Sequence, residues 1–296
     1  MKTKRLSVFE FQKLYSTEDD CEQAIVRMRW PKGFICPKCD HDDGYRLKSK
    51  RAIQCAVCRS QISITAGTIF HNTKISLLKW FWMIFLVAHD KGGASALRLA
   101  KQLDMCYSTV WHILHKIRQA MSKRDEKVIR LARLIEMDEG FFGHYKRKAQ
   151  FLVMIEAGNK KAGNLIMKKI LGRSPDEPDT RKVVEAYVDN ESQQYFVADN
   201  AGAHNVVKKM GHNLESHTST PKLAAEKLPW VHLAISLAKR FLLGTYHGAV
   251  NRKHLQKYLD EFCYRFNRRI KENQLCESLM HACILAPPTT YAALMR

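Results

Sequence analysis

No stretch of this chain reaches the roughly 18 uninterrupted apolar residues that a membrane-crossing helix takes. The closest, Trp80 to Ala88, stops at His89 and Asp90 and has the length of a buried helix segment. The N-terminal MKTKRLSVFEFQKLY is basic but lacks an apolar run leading to a small-residue cleavage site, so no secretory leader is expected. No internal repeat and no low-complexity tract is present, which excludes a solenoid and a disordered chain. There is no Gly-rich phosphate loop and no defensible Ser–His–Asp set, so the common metabolic enzyme classes find no support. Acid is scarce: 29 Asp and Glu stand against 49 Lys and Arg, a net charge of +20. That surplus calls for an anionic partner, nucleic acid or an anionic membrane surface. Cysteine is an odd nine, four of them in one pattern, which fits a reducing compartment and metal or packing roles rather than disulfides.

The 296 residues allow one large domain or several small ones. Residues 1–30 read as a helical segment with Asp19 and Asp20 near a helix start and Ala24, Ile25 and Met28 along one face. Residues 31–72 carry short β-like pieces between cysteine pairs, and residues 73–125 read as helices broken at Gly92-Gly93. From Leu134 strands dominate: LIEMDEGFF, QFLVMIEAG and NLIMKKILG, a helix in DTRKVVEAYV, then the strand YFVADN. Residues 172–178 and 202–229 read as loops, and the pattern is helical again from Trp230 to about Cys283. The fold class expected is α+β: a zinc ribbon, a helix-turn-helix segment, and a mixed-sheet domain over 130–285 with a helical C-terminus.

Cys36, Cys39, Cys55 and Cys58 form two CxxC pairs separated by fifteen residues. Each tight turn supplies two thiolates, and four thiolates close a tetrahedral zinc shell with no open position, so the metal is structural. A ribbon this small has too little core to fold without it. Lys32, Lys38, Arg46, Lys48, Lys50, Arg51 and Arg59 surround the pairs, suited to phosphate contact or simply to solvent. In Ala94–Ala120, Leu97, Leu99 and Leu103 precede a turn at 104–107, and Val110, Ile113, Leu114 and Ile117 follow at helical spacing. This is a helix-turn-helix pattern with Ser108, Thr109, His112 and Lys116 as its outer face, though a plain helical hairpin reads the same way. Cys21, Cys106, Cys263, Cys276 and Cys283 read as small buried hydrophobes.

Glu136 and Asp138 interrupt an otherwise apolar strand and share one face by the period of two, with Ile135 and Met137 on the other. Asp199 closes a second strand in the same manner. A buried carboxylate is costly alone, so two strands ending in one point to a shared divalent cation, while two solvent-facing strand ends would need none. In the C-terminal region His232, Ser236, Lys239 and Arg240 fall on one side of a helix, Leu233 and Leu237 on another. The helix from His254 to Arg269 interleaves Arg with aromatics, suited to nucleic acid, or packs through Leu255, Leu259, Phe262 and Phe266.

These pieces together resemble the bacterial insertion-sequence transposases that join an N-terminal zinc ribbon to a DDE-type, ISXO2-like catalytic domain. The resemblance is carried by the CxxC pairs, Met137-Asp138-Glu139, LPWVH at Leu228 to His232, and AKRFLLGTYHG followed by YLDEFCYRFNRR. It implies a ribonuclease-H-like fold in which the first and fourth strands of the sheet are neighbours. It implies Mg²⁺ or Mn²⁺ as catalytic cofactor beside structural zinc, and double-stranded DNA with inverted-repeat ends as partner. It also implies a homo-oligomer on paired ends, and a cytoplasmic, nucleoid-associated protein away from membranes. By the same resemblance Asp138 and Asp199 are the first two catalytic carboxylates and metal ligands, and Lys239 contacts the scissile phosphate. The third acidic or Asn position falls on Leu237, which has no lone pair for a metal. Either Glu226, His232, Ser236 or the more distant Glu215 substitutes, or the chain is a catalytically impaired, transposase-derived DNA-binding protein. A nuclease without strand transfer and a zinc-ribbon transcription factor are the further alternatives.

Overall fold

The computed structural model describes residues 5–47, 50–143, 149–170, 176–189, 191–199, 202–217 and 226–294. The chain divides into two compact units, Met1–Arg124 with Lys271–Arg296, and Asp125–Ile270.

In the first unit the expected single N-terminal helix is two, α1 (Val8–Leu14) and α2 (Glu18–Arg29). Ser7 with Glu10 and Thr17 with Asp20 form complete capping boxes, so each helix has its own start signal and the chain breaks between them. A three-stranded antiparallel sheet follows, β1 (Gly44–Leu47), β2 (Ala52–Cys55) and β3 (Gln61–Ser63). Next come α3 (Leu77–His89), α4 (Ala96–Leu103) and α5 (Tyr107–Val128). Trp80, Phe81, Met83, Ile84 and Phe85 of α3 are buried, and Phe11 of α1 packs on Trp82 and Phe85. Asp104 joins α4 to α5 in the left-handed conformation, φ 47°, and its neighbour Met105 donates back to Ala100.

The second unit is built on a five-stranded mixed sheet ordered β6-β5-β4-β7-β8. Its strands are β4 (Leu134–Phe142), β5 (Ala149–Glu156), β6 (Leu165–Lys169), β7 (Tyr195–Asp199) and β8 (Asn213–His217). β4, β5 and β6 are antiparallel, whereas β7 lies parallel to β4 and β8 parallel to β7. Between β6 and β7 runs α6 (Glu177–Tyr187), capped by Asp176. After β7 come a 3₁₀ turn at Gly202–Asn205 and the short α7 (Val206–Lys209). The 202–229 segment expected as loop therefore holds a strand: β8, sequence NLESH, is a polar edge strand without the apolar alternation that would have marked it.

Two cores cover the sheet. One face packs Ile135, Met137, Leu152, Phe196 and Ala198 with Val184, Val206 and Val207 from α6 and α7. The other packs Phe151, Val153, Ile155 and Val197 under α8 (Pro229–Gly244) and α9 (Leu255–Asn267). Gly140 is required where it stands, because a Cβ there would overlap the Phe151 ring on β5. From α10 (Leu275–Leu285) onward the chain packs in the first unit, α10 against α2 and α3. This arrangement of mixed sheet and helices is consistent with a ribonuclease-H-like fold in general outline.

Candidate metal centres and functional site

The two cysteine turns are built alike. Asp40 N donates to Cys36 O and Arg59 N to Cys55 O, and Asp40 and Arg59, each just after a second cysteine, both adopt φ 56°. The turns bring Cys36 Sγ to 3.6 Å from Cys58 Sγ and Cys39 Sγ to 3.6 Å from Cys55 Sγ, with all four sulfurs within 4.8 Å of one another. Zinc–thiolate bonds of about 2.3 Å at tetrahedral angles place sulfurs about 3.8 Å apart, so the donor set fits structural zinc. Hydrogen bonds from Ser60 lower the Cys58 thiol to about 6. The His41 backbone pulls Cys39 down too, but contact with the other thiols prevails and holds it at about 12. The four crowded sulfurs cannot all ionise without a cation among them.

Part of the basic ring around the ribbon is committed elsewhere. Arg46 bonds Asp19 at 2.6 Å and Glu22 at 2.8 Å, and Arg51 bonds Glu18 at 2.8 Å and Glu22 at 2.9 Å. These two partly exposed arginines tie the ribbon to α2, while Lys48 falls outside the described residues. The outer face expected on α5 is likewise narrower. Ser108 is exposed, but His112 packs edge-on against Tyr291 and Lys116 approaches the Trp80 ring. Cys106 is exposed rather than buried, its Sγ 3.3 Å from Ser108 Oγ, because it lies in the turn ahead of α5; Cys21, Cys263, Cys276 and Cys283 are buried. On α9 the packing alternative holds for its arginines. Arg265 bonds Glu261, and just past the helix Arg268 bonds Asp125 at 2.7 Å and lies over Tyr264.

In the sheet-bearing unit, β4 and β7 pair in parallel with Met137 opposite Ala198, so Asp138 and Asp199 follow side by side one residue beyond the last pair. By the strand period both belong to the face covered by α8. Glu136, two residues before Asp138 and buried, accepts the Val231 backbone N–H at 2.8 Å in the first turn of α8. Burial raises its carboxyl to about 6, against the pull of the Val231 and Trp230 amides. The next residue of α8, His232, brings Nδ1 to 3.5 Å from Asp138 Oδ2. Burial also raises the Asp138 carboxyl, opposed by the Glu139 amide and abetted by the Asp199 charge.

Two residues that the sequence reading passed over complete the site. His204, fully buried in the 3₁₀ turn, places Nδ1 2.9 Å from Asp199 Oδ1 and Nε2 3.2 Å from Glu139 Oε1. Burial alone would depress the imidazole, but the Asp199 and Glu139 carboxylates override it and lift it to about 9. Glu139, Asp199 and His204 have ligand atoms within 4.8 Å of one another, a second group able to hold a metal. Glu139 Oε1 and His204 Nε2 face each other at 3.2 Å, whereas His232 Nε2 is a buried atom without hydrogen-bond geometry to any partner among the described residues. Periodicity could not have joined Glu139 to His204, since they stand on different elements; the only sequence cue was a histidine five residues past Asp199.

The other candidates for the third ligand separate by position. Leu237 packs against the core under α8. Ser236 and Glu226 are exposed, and Glu215 on β8 is engaged by Tyr195 at 3.1 Å and His217 at 2.6 Å. Lys239 is half-buried, seven positions after His232 and hence on the same side of α8. Among the described residues no helix is long and apolar enough to cross a membrane.

A four-thiolate cluster on a small antiparallel sheet, and an acidic and histidine cluster at the end of paired parallel strands, are two groups of side chains able to hold a metal ion. Residues 16–61 match the family model of the transposase zinc-ribbon domain, and residues 130–267 match that of the ISXO2-like transposase domain. The chain belongs to the ISXO2-like transposase family. An uncharacterized protein in transposable element ISH50 of Halobacterium salinarum is 25% identical over 112 residues, which is 37% of this chain and 37% of that protein. Solved structures to which the chain is similar include the Mos1 transposase catalytic domain with raltegravir and Mg, at TM-score 0.29 and 14% identity over 56% of this chain and 94% of that one. The Mos1 strand transfer complex gives TM-score 0.30 and 13% identity over 71% and 78%.

Proposed function

We propose that the chain is a DNA transposase that cuts insertion-sequence ends and joins the freed 3′-hydroxyl to target DNA. The observation that carries this reading is the parallel pairing of β4 with β7, which sets Asp138 beside Asp199 beneath α8. These carboxylates would hold Mg²⁺ or Mn²⁺, a Lewis acid that makes water or a 3′-hydroxyl nucleophilic and steadies the leaving oxygen. His204 orients the Asp199 carboxylate through the 2.9 Å contact, and Glu136 anchors the start of α8. Lys239 on α8 meets the scissile phosphate as a point charge. In this reading the ribbon over 31–72 and the helix-turn-helix over 73–125, preceded by the helical segment 1–30, bind the inverted-repeat ends, chiefly through phosphates. The domain from 130 to 285 performs the chemistry, as a homo-oligomer on paired ends at the cytoplasmic nucleoid.

A second reading is favoured by one observation, the packing of Leu237 into the core where the third ligand is expected. On that reading the chain binds element ends without cutting them. The deciding experiment is a nicking assay on DNA carrying the element's terminal repeats, with Mg²⁺ or Mn²⁺, beside Asp138→Ala. Metal-dependent nicking at the repeat boundary, absent in Asp138→Ala, is the expected result. Specific binding without nicking in either protein would establish the second reading.

A further inference from the structure

We infer that Glu139 is a positioning residue of the catalytic centre, bracing both of the carboxylates assigned to the cation. The inference rests on the reading that Asp138 and Asp199 hold that cation. Glu139 meets each of them by a different route. Its backbone N–H donates to Asp138 Oδ1 at 2.7 Å. Its side chain reaches Asp199 through His204: Glu139 Oε1 lies 3.2 Å from Nε2, and Nδ1 of the same ring lies 2.9 Å from Asp199 Oδ1. The brace joins β4, the end of β7 and the 3₁₀ turn at Gly202–Asn205, so it fixes a geometry that no single element sets. It is also dry. The His204 side chain is 0% and the Glu139 side chain 11% exposed, and charges that far from water are screened much less than surface pairs.

The chemistry of the ring calls for the second carboxylate. An ionised carboxylate only accepts, so an imidazole between two of them serves both only by donating from each nitrogen. Glu139 on one nitrogen thereby fixes the edge of the ring that Asp199 meets, as an outer partner orients a ligand. Without its charge the ring is released to turn, and the Asp199 carboxylate with it. Strand alternation divides the labour: Asp138 turns toward α8, and Glu139, the next residue of β4, toward the opposite face, where His204 stands. The alternative is that Glu139, Asp199 and His204 hold an ion themselves, their ligand atoms lying within 4.8 Å of one another. Each ring nitrogen faces a different carboxylate, however, which suits a bridge between two acceptors better than an ion that takes one nitrogen.

The test is Mn²⁺ titration of the zinc-loaded full chain followed by electron paramagnetic resonance, on Glu139→Gln, His204→Gln, the double variant and Asp138→Asn. The wild type is expected to bind Mn²⁺ in an Asp138-dependent manner. Glu139→Gln and His204→Gln should each weaken that binding about tenfold, as loss of an outer partner does. The double variant should bind within about twofold of His204→Gln, because the Glu139 side chain acts through the ring. A role in folding alone would leave the affinity of the folded variants unmoved. Glu139→Asp, which keeps the charge on a shorter stem, should fall between Glu139→Gln and the wild type, and it carries the test if Glu139→Gln does not fold. Unchanged affinity in Glu139→Gln, or losses that multiply in the double variant, overturn the inference and leave the two-carboxylate reading standing. So does a nitrogen coupling in pulsed spectra that vanishes in His204→Gln, which would make His204 a ligand instead of a bridge. Wild-type binding no better than that of Asp138→Asn overturns both.

Discussion

The Glu136 carboxylate of β4 accepts the backbone N–H of Val231 at 2.8 Å, so the start of α8 is capped from another element of the fold. The helix cannot cap itself: Leu228 stands at its N-cap and Pro229 at its first position, and no side-chain cap bond is made there. A carboxylate from the sheet satisfies orphan amides and meets the positive end of the helix dipole. The same anchoring brings His232 to Asp138. The register of α8 and the placing of His232 beside Asp138 are therefore one problem, solved by alternate residues of a single strand.

Replacing Glu136 separates its charge from its hydrogen bonds. With the folded carboxyl raised to about 6, stability from this group is fully present below the unfolded value near 4.5 and is lost as pH rises through 6. Glu136→Gln keeps an acceptor and removes the buried charge, so it should gain about 1–2 kcal/mol at pH 8 and little at pH 4.5. Glu136→Ala strips the cap and should cost about 1–2 kcal/mol at pH 4.5. Denaturant melts of the three proteins at both pH values check the pattern; equal shifts of Gln and Ala would contradict it.

His204 gives the opposite kind of signature, a histidine stabilised in its charged form. Its folded value near 9 exceeds the ordinary 6.5, so its contribution is whole below pH 6.5 and disappears as pH climbs through 9. Without divalent metal the sheet-bearing unit should lose roughly 2–3 kcal/mol across that window. In His204→Gln the slope should flatten, which thermal melts from pH 6 to 10 would show. An unchanged slope would assign the pH dependence elsewhere.

The ribbon should carry one zinc ion and depend on it. Cys36→Ser or Cys55→Ser, each removing a buried sulfur, should drop bound zinc from one ion per chain to well under half by elemental analysis. Strong chelation should remove hydrogen-exchange protection from β1, β2 and β3, because so short a sheet holds little core of its own. Protection that persists after complete zinc removal would refute a folding role for the metal.

Leu237→Asn puts the family's amide back at the third position but takes a packed leucine from the core. It should cost about 1–3 kcal/mol, lowering the melting temperature by several degrees, because the site is half-buried. A melting temperature unchanged from the wild type would show that Leu237 contributes no packing.

Much of this was legible in the residues. β4 spans Leu134–Phe142 as its alternation requires, with Ile135 and Met137 in one core and Glu136 and Asp138 turned to the other helices. The cysteine spacing led directly to four clustered sulfurs, because ligand chemistry and tight turns are local. The split between α1 and α2 was also written locally, in two capping boxes, though apolar spacing alone ran across it. β8 escaped because an edge strand needs no apolar face.

What the sequence by itself determined is therefore what neighbours along the chain decide: helix starts, strand faces, the zinc ligands and the sign of the surface. The tertiary structure decided which charges are spent inside. Arg46 and Arg51 are drawn to α2, Arg268 to Asp125, His204 to Asp199 and Glu139, and Glu136 to the start of α8. Pairing depends on distance in space, and a buried charge must find a partner or pay several kcal/mol in desolvation, roughly as large as the protein's whole net stability. Composition counts such residues among the exposed; only the fold shows which partners they meet.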